Sequence, residues 1–278
     1  MTKADKSKLK IINKFLMPDK SQGALYIGTS NVVLPGNKST FPEAFRVKSR
    51  LHYYSSLFNS VEINSSFYSV PMYSTGEKWV GDVGLDFRFT VKLWKKITHV
   101  KQLLFNARDI DFFLERIASF ENRKGCLLVQ FPGKITLDYF NKVEEILSFI
   151  SHSAVAFGWQ KVVEFRHPSW HTGEVFEMLD EYKASMVLHD NPKAKSEVLN
   201  KTVHVVYLRF HGPKGDYRGS YSLGFLKEKT ELIKDWRKKG KEVYAYFNNT
   251  AGDAFINART LQELNGIYPS NKFEVITQ

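Results

Sequence analysis

The sequence has almost no cysteine: Cys126 is the single one in 278 residues. One thiol makes no internal disulfide and no thiolate zinc cluster. Long apolar runs are missing too. The purely apolar stretches span only a few positions, far short of the roughly 20 residues that cross a bilayer. The opening segment MTKADKSKLKIINKFLM is basic and lacks the apolar stretch of a signal peptide. The chain is therefore expected in the cytoplasm, where the N-x-S/T matches at Asn37, Asn64 and Asn248 carry no glycosylation meaning. There is no G-x-S-x-G elbow, P-loop, G-x-G-x-x-G or H-E-x-x-H. Nor is there a Pro/Gly/Ser linker, an internal repeat or a low-complexity segment. One continuous domain over residues 21–278, preceded by a basic arm over residues 1–20, is the simplest organisation.

What remains is globular in composition, with 43% hydrophobic and 25% charged residues. Collagen-like and mainly disordered classes are excluded. Forty basic against 29 acidic residues leave a net charge of +11. Such an excess suits nucleic acid, a membrane surface, an anionic ligand or simple solubility.

Eight short runs rich in β-branched and aromatic residues read as strands. They are Ala24–Ser30, Ser60–Phe67, Asp86–Leu93, Cys126–Phe131, Lys161–Arg166, Ser185–Asp190, His204–His211 and Glu242–Asn248. Helical periodicity fills most of the gaps. Glu43–Phe58 places Phe45, Val47, Leu51, Tyr54 and Phe58 on one stripe, and Asp109–Phe120, Thr136–Ile150, Leu223–Lys239 and Asp253–Leu264 behave likewise. Met72–Gly81 is a shorter candidate. Asn191–Val203 opens with Asn-Pro and has little period, so a loop is expected between strands six and seven. The alternation predicts an α/β fold, a single (β/α)₈ TIM-type barrel with that helix short or absent. An open doubly wound sheet is the alternative.

In such a barrel the C-terminal strand ends build the site. Glu62 and Asn64, Thr90 and Lys92, Glu164 and Arg166, Arg209 and His211, and Tyr246 and Asn248 are each two apart, so each pair shares a face. The intervening residues, such as Val61, Phe89, Phe165, Leu208 and Phe247, are apolar and suit the helix layer. Parallel strands covered on both sides are normally apolar throughout. Polar groups facing the barrel interior therefore need partners or a ligand. An internal ion-pair network of Glu62 or Glu164 with Arg166 or Arg209 is the purely structural alternative.

The runs IGTS, YYSSLFNSVEINSSFY, FTVKLWKKITH, LLVQFP, EFRHPSW, YLRFHG and VYAYFNN occur in this order, followed by Ala258. Together they resemble the YecE-like family, also called domain of unknown function 72, from about Ile27 to about Leu261. The resemblance implies a TIM-type barrel and no particular activity. Carried over by position, the motif residues are Ser30, Glu62, Asn64, Phe67, Tyr68, Lys92, Thr98, His99, Gln130, Glu164, Arg166, Trp170, Arg209, His211, Gly212, Asn248 and Asn249. Family members often continue Gly-Thr-Ser with Gly-Trp; here Asn31-Val32 follow.

The leading expectation is an enzyme acting on a small polar ligand, phosphorylated or otherwise anionic. Glu62 and Glu164 are candidate general acid/base groups, and Lys92, Arg166 and Arg209 hold or stabilise negative charge. Glu62, Lys92, Glu164 and Arg166 are the candidate catalytic set. Ser30, Asn64, Tyr68, His99, Gln130, Trp170, Asp190, Arg209, His211, Tyr246, Asn248 and Asn249 are candidates for binding, with Tyr68, Trp170 and Tyr246 as walls for a sugar or base, or, as the alternative for each ring singly, packing aromatics. No cofactor and no metal ligand set are expected. A divalent metal on His189 or Asp190, His211, Glu62 and Glu164 is the lesser alternative. His167 and His171 form an H-x-x-x-H match, but Pro168 makes it a loop coincidence. Nucleic acid is the alternative partner, through Lys3, Lys6, Lys8, Lys10 and Lys14 of the arm and the Lys227–Lys241 region. No membrane partner is expected, and the oligomeric state is not legible.

Overall fold

The computed structural model describes residues 22–268; the basic arm expected over residues 1–20 lies outside them. Eight parallel strands form a nearly closed barrel: β1 (Leu25–Thr29), β2 (Ser60–Ile63), β3 (Arg88–Lys92), β4 (Lys124–Phe131), β5 (Gln160–Phe165), β6 (Ala184–His189), β7 (Val205–Phe210) and β8 (Glu242–Phe247). The order around the sheet is β1-β8-β7-β6-β5-β4-β3-β2. The helices are α1 (Glu43–Arg46), α2 (Arg50–Leu57), α3 (Ser65–Tyr68), α4 (Tyr73–Gly81), α5 (Lys95–Thr98), α6 (Ala107–Ile117), α7 (Phe140–His152), α8 (Gly173–Glu181), α9 (Leu223–Lys238) and α10 (Ala254–Leu264). No helix of the described residues is long and apolar enough to cross a membrane.

The two-residue alternation sorts each strand between two cores. Outward residues such as Val61, Phe89, Phe165, Leu208 and Phe247 join the helices in the larger core. Inward residues Cys126, Leu128, Val162, Val187, Val205, Tyr207, Tyr244 and Tyr246 pack together inside the barrel. This apolar plug supports the polar strand ends.

The β1–β2 seam is held mostly by side chains. Its ladder is reduced to one bridge, Ser30 to Glu62. Tyr54 of α2 fills the gap: its hydroxyl accepts from Thr29 N at 2.7 Å and donates to Ser60 O at 3.1 Å. Asn59 accepts from Ile27 N at 2.9 Å and donates to Leu25 O at 2.7 Å. The approach is close enough to require Gly28, where a Cβ would sit 2.0 Å from Ser60 O.

Some expected boundaries shift. The single helix read over Glu43–Phe58 is two, because Ser49 caps α2 by accepting from His52 N at 2.9 Å. Val47 lies in the break and is 87% exposed instead of lying on the apolar stripe. Strand two stops at Ile63, four residues before the expected Phe67, since Ser65–Tyr68 turns into α3. The helix α8 between β5 and β6 was not read from periodicity. Between β6 and β7 there is no helix among the described residues, and Ser196 pairs back with His189. The space left there is a cavity of about 170 Å³ against Leu188, Leu208, Phe210 and, on α9, Phe225, Leu232 and Trp236.

Candidate active site

Above the apolar plug, β2, β5 and β7 turn three charged residues toward one another. Arg209 is buried between two carboxylates. Its Nη2 donates to Glu62 Oε1 at 2.9 Å, its Nε to Glu62 Oε2 at 3.1 Å, and its Nη1 to Glu164 Oε2 at 3.1 Å. Glu62 also accepts from Ser30 Oγ at 2.6 Å and from the Tyr207 hydroxyl at 2.5 Å. Burial acts to raise the Glu62 carboxyl, but the Arg209 charge and these hydrogen bonds outweigh it and hold its pKa below the usual range. Glu164 lies further below: Arg166, Arg209, His211 and His189 overcome the effect of burial. Arg166 Nε donates to Glu164 Oε1.

The network continues through His211. Arg166 Nη2 donates to His211 Nε2 at 2.7 Å, so that nitrogen carries no proton. The proton is then on Nδ1, which faces Asp190 Oδ1 at 3.3 Å. Burial drives the imidazole pKa down to about 4, against the opposing pull of Asp190 and Glu164. Asp190 also accepts from His211 N at 2.8 Å and from the Tyr221 hydroxyl. Tyr221 in turn accepts from Gly212 N at 2.6 Å, at a backbone position with φ +96° that glycine permits. His189 donates from Nε2 to Phe165 O at 3.0 Å, with its Nδ1 accepting from Asn191 N.

Lys92 differs from these groups. It ends β3, is 9% exposed, and its Nζ makes no hydrogen bond or ion pair with any described residue. Its Nζ sits 4.1 Å from the centre of the Phe67 ring, a cation–π distance. Burial, together with the Arg209 and Arg166 charges, pulls its pKa down to about 7, although Glu164 and Glu62 act the other way. Across the same ring lies His99, 4.7 Å between centres; burial and the charges of Lys92, Lys134 and Arg166 lower its pKa to about 4. Gln130 and Asn248 are each 8% exposed, and their side chains make no hydrogen bond to a described residue. Asn64 Oδ1 is buried without a partner. Tyr68 meets Phe67 edge-on and is 68% exposed, on the outer side of this group.

Three expected binding residues lie elsewhere. Trp170 does not wall the mouth. The short turn Pro168–Trp170 folds it back onto the outward-facing Phe165, with ring centres 4.2 Å apart, and its Nε1 donates to Ile135 O. Tyr246 is part of the barrel interior, fully buried, with its hydroxyl on Ser60 Oγ and on Thr90 Oγ1 at 2.9 Å. Asn249 is buried among loops, donating to Gly219 O at 2.9 Å and Asn257 Oδ1 at 3.0 Å. Conversely, Tyr207 and Tyr221 escaped the sequence reading. Tyr207 carried a signal, since it precedes Arg209 by two on the same face. Tyr221 follows a loop and carried none. Among the described residues, no group of three or more His, Cys, Asp or Glu is placed to hold a metal ion, and arginines occupy the carboxylate oxygens that were the candidates for one.

The fold and this constellation define a TIM-like (β/α)₈ barrel with a charged cluster at the strand C-termini. The chain belongs to the family described as "Protein of unknown function DUF72", whose profile matches residues 26–274. It is 26% identical over 272 residues to the "UPF0759 protein YunF" of Bacillus subtilis (strain 168), covering 86% of this chain and 94% of that protein. Among solved structures, a DUF72 family protein from Enterococcus faecalis V583 superposes with a TM-score of 0.71 at 22% identity, over 89% of this chain and 99% of that one. A second, from Thermotoga maritima MSB8, gives 0.67 at 26% identity, over 87% and 98%.

Proposed function

We propose that the protein is an enzyme acting at the barrel mouth on a small polar substrate that carries an anionic group, phosphate or carboxylate. The observation that carries this reading is Lys92. A buried ammonium normally has an acceptor, and here every nearby carboxylate is taken by another donor. The Lys92 amine, the partly exposed Arg166, Gln130 and Asn248 all stand at the C-terminal ends of their strands, β3, β5, β4 and β8. A lysine with a pKa of about 7 exchanges protons readily at neutral pH. Glu62, buried and saturated with donors, serves to hold Arg209 instead of moving protons. Glu164 stays ionised and steadies positive charge above it.

Surface charge offers the nucleic-acid reading less support. On α9, Lys229 and Lys234, and at its C-cap Lys239, each pair with a carboxylate of that helix, Glu228, Glu231 and Asp235. These cations are already partly neutralised.

A thermal-shift screen tests the proposal, using inorganic phosphate, small carboxylates, sugar phosphates and short oligonucleotides. A ligand at about a hundred times its Kd contributes roughly 2.7 kcal/mol. The expected result is a rise in Tm with a small anion that disappears in Lys92→Met and in Arg166→Gln. A shift equal in wild type and both variants, or none with any small anion, overturns the reading.

A further inference from the structure

We propose that Lys92 is a covalent catalyst whose Nζ condenses with the aldehyde or ketone carbonyl of the anionic substrate to form an imine. This rests on the reading above that the mouth is the substrate site, and adds the substrate class, a small carbonyl compound bearing an acidic group.

Geometry separates Lys92 from a lysine held in a structural ion pair. Such a lysine is engaged by a carboxylate, whereas the Lys92 amine has no acceptor among the described residues. Glu62 and Glu164 face Arg209, and Asp190 faces His211 and Tyr221. The stem is fixed at both ends. Ser66 Oγ lies 2.7 Å from Lys92 O, and the Phe67 ring lies 4.1 Å from Nζ. The Phe67 ring stands over the amine, and the cations Arg166 and Arg209 lie within its field. Desolvation and neighbouring positive charge are the two means by which a lysine is kept unprotonated and nucleophilic. Arg166, its side chain 14% exposed, is the complementary group for the acidic end of the substrate.

The step balances. The nitrogen lone pair forms the N–C bond while the carbonyl π pair moves to oxygen. A proton passes from nitrogen to that oxygen, giving a carbinolamine. The C–O bond then breaks, the oxygen leaves as water after taking a proton from solvent at the mouth, and the remaining N–H proton returns to solvent. Amine and carbonyl become imine and one water, with no change of oxidation state.

Glyoxylate, an aldehyde joined to a carboxylate, is the probe. The full chain is treated with glyoxylate at pH 7, reduced with sodium borohydride and mapped by peptide mass. Reduction of the imine leaves a carboxymethyl group on the lysine that formed it. The expected result is a mark on Lys92 at least about ten-fold faster than on any exposed lysine. Its rate should rise with pH through about 7 and be suppressed by the anion that raises Tm. This readout uses the wild-type protein and depends on no variant's folding. Labelling of Lys92 no faster than exposed lysines overturns the imine. If the anion-induced rise in Tm persists in that case, the mouth remains the substrate site and only the covalent step falls. If Lys92 is labelled but no anion shifts Tm, the imine stands and the anionic-substrate reading falls.

Discussion

At Arg209 a single guanidinium is shared between two buried carboxylates, and that sharing sets how substitutions there behave. Arg209→Ala leaves Glu62 and Glu164 without their common counter-charge, and a loss of about 3–5 kcal/mol is expected in urea denaturation. Arg209→Lys recovers little of it, because one ammonium cannot reproduce a fork that spans both acids. Lys92 has the opposite sign. Its folded pKa of about 7 lies below the ordinary 10.5, so between these values the unfolded chain binds more protons and stability rises with pH. Lys92→Met should therefore stabilise the protein, on the order of a few kcal/mol at pH 6 and much less above pH 10.5, which urea midpoints at the two pH values measure. The two-residue spacing made Glu62, Glu164, Arg166, Arg209 and His211 legible as neighbours in sequence, and the same rule taken one step back reaches Tyr207. Trp170 takes the packing alternative, and the choice was not legible for a physical reason. A tryptophan just past a strand reads alike whether its turn opens toward the mouth or folds back on Phe165.

Within the elements, the β1–β2 seam depends on two side chains where other strand pairs use their backbones. Tyr54→Phe leaves Thr29 N and Ser60 O without a partner, at a cost of about 1–3 kcal/mol. Faster amide hydrogen exchange at Thr29 than in wild type, with β4 and β5 unchanged, is the expected result. Gly28→Ala forces a methyl against Ser60 O and should disturb the seam more severely. The strand runs and the missing helix before β7 were legible because β-branched runs and Asn191-Pro192 act locally. The break at Val47 was not: the apolar period runs through it, and the cap at Ser49 is visible only once His52 N is seen to need an acceptor. The early end of β2 has a similar cause, since Ser66 bonds to carbonyls of Ile63 and Lys92 that sequence alone does not bring near.

Across the whole molecule, the buried ionic network makes acid the natural denaturant. The folded-state pKa values of Glu62 and Glu164 are depressed, so their contribution is present above the ordinary carboxylate range and lost as pH falls through the folded values. His211 acts in an adjoining window. Its pKa drops from 6.5 to about 4, so the unfolded chain takes up a proton that the folded one refuses. On the order of 3 kcal/mol is lost between pH 6.5 and 4. Urea midpoints should fall steadily from pH 7 downward, and His211→Asn, which has no titrating ring, should flatten the upper part of that decline. The closed ring of elements was legible from the strand–helix alternation; its sequence of neighbours has a temporal meaning as well. From β2 to β8 each strand lies beside the next in the chain, so six pairings form in the order in which the ribosome delivers them, whereas β1 meets β8. Its edge must wait, unpaired on that side, until Glu242–Phe247 has been made. Closure is thus a late event in synthesis, and a nascent chain stalled after α9 carries an open sheet with β1 exposed to other chains.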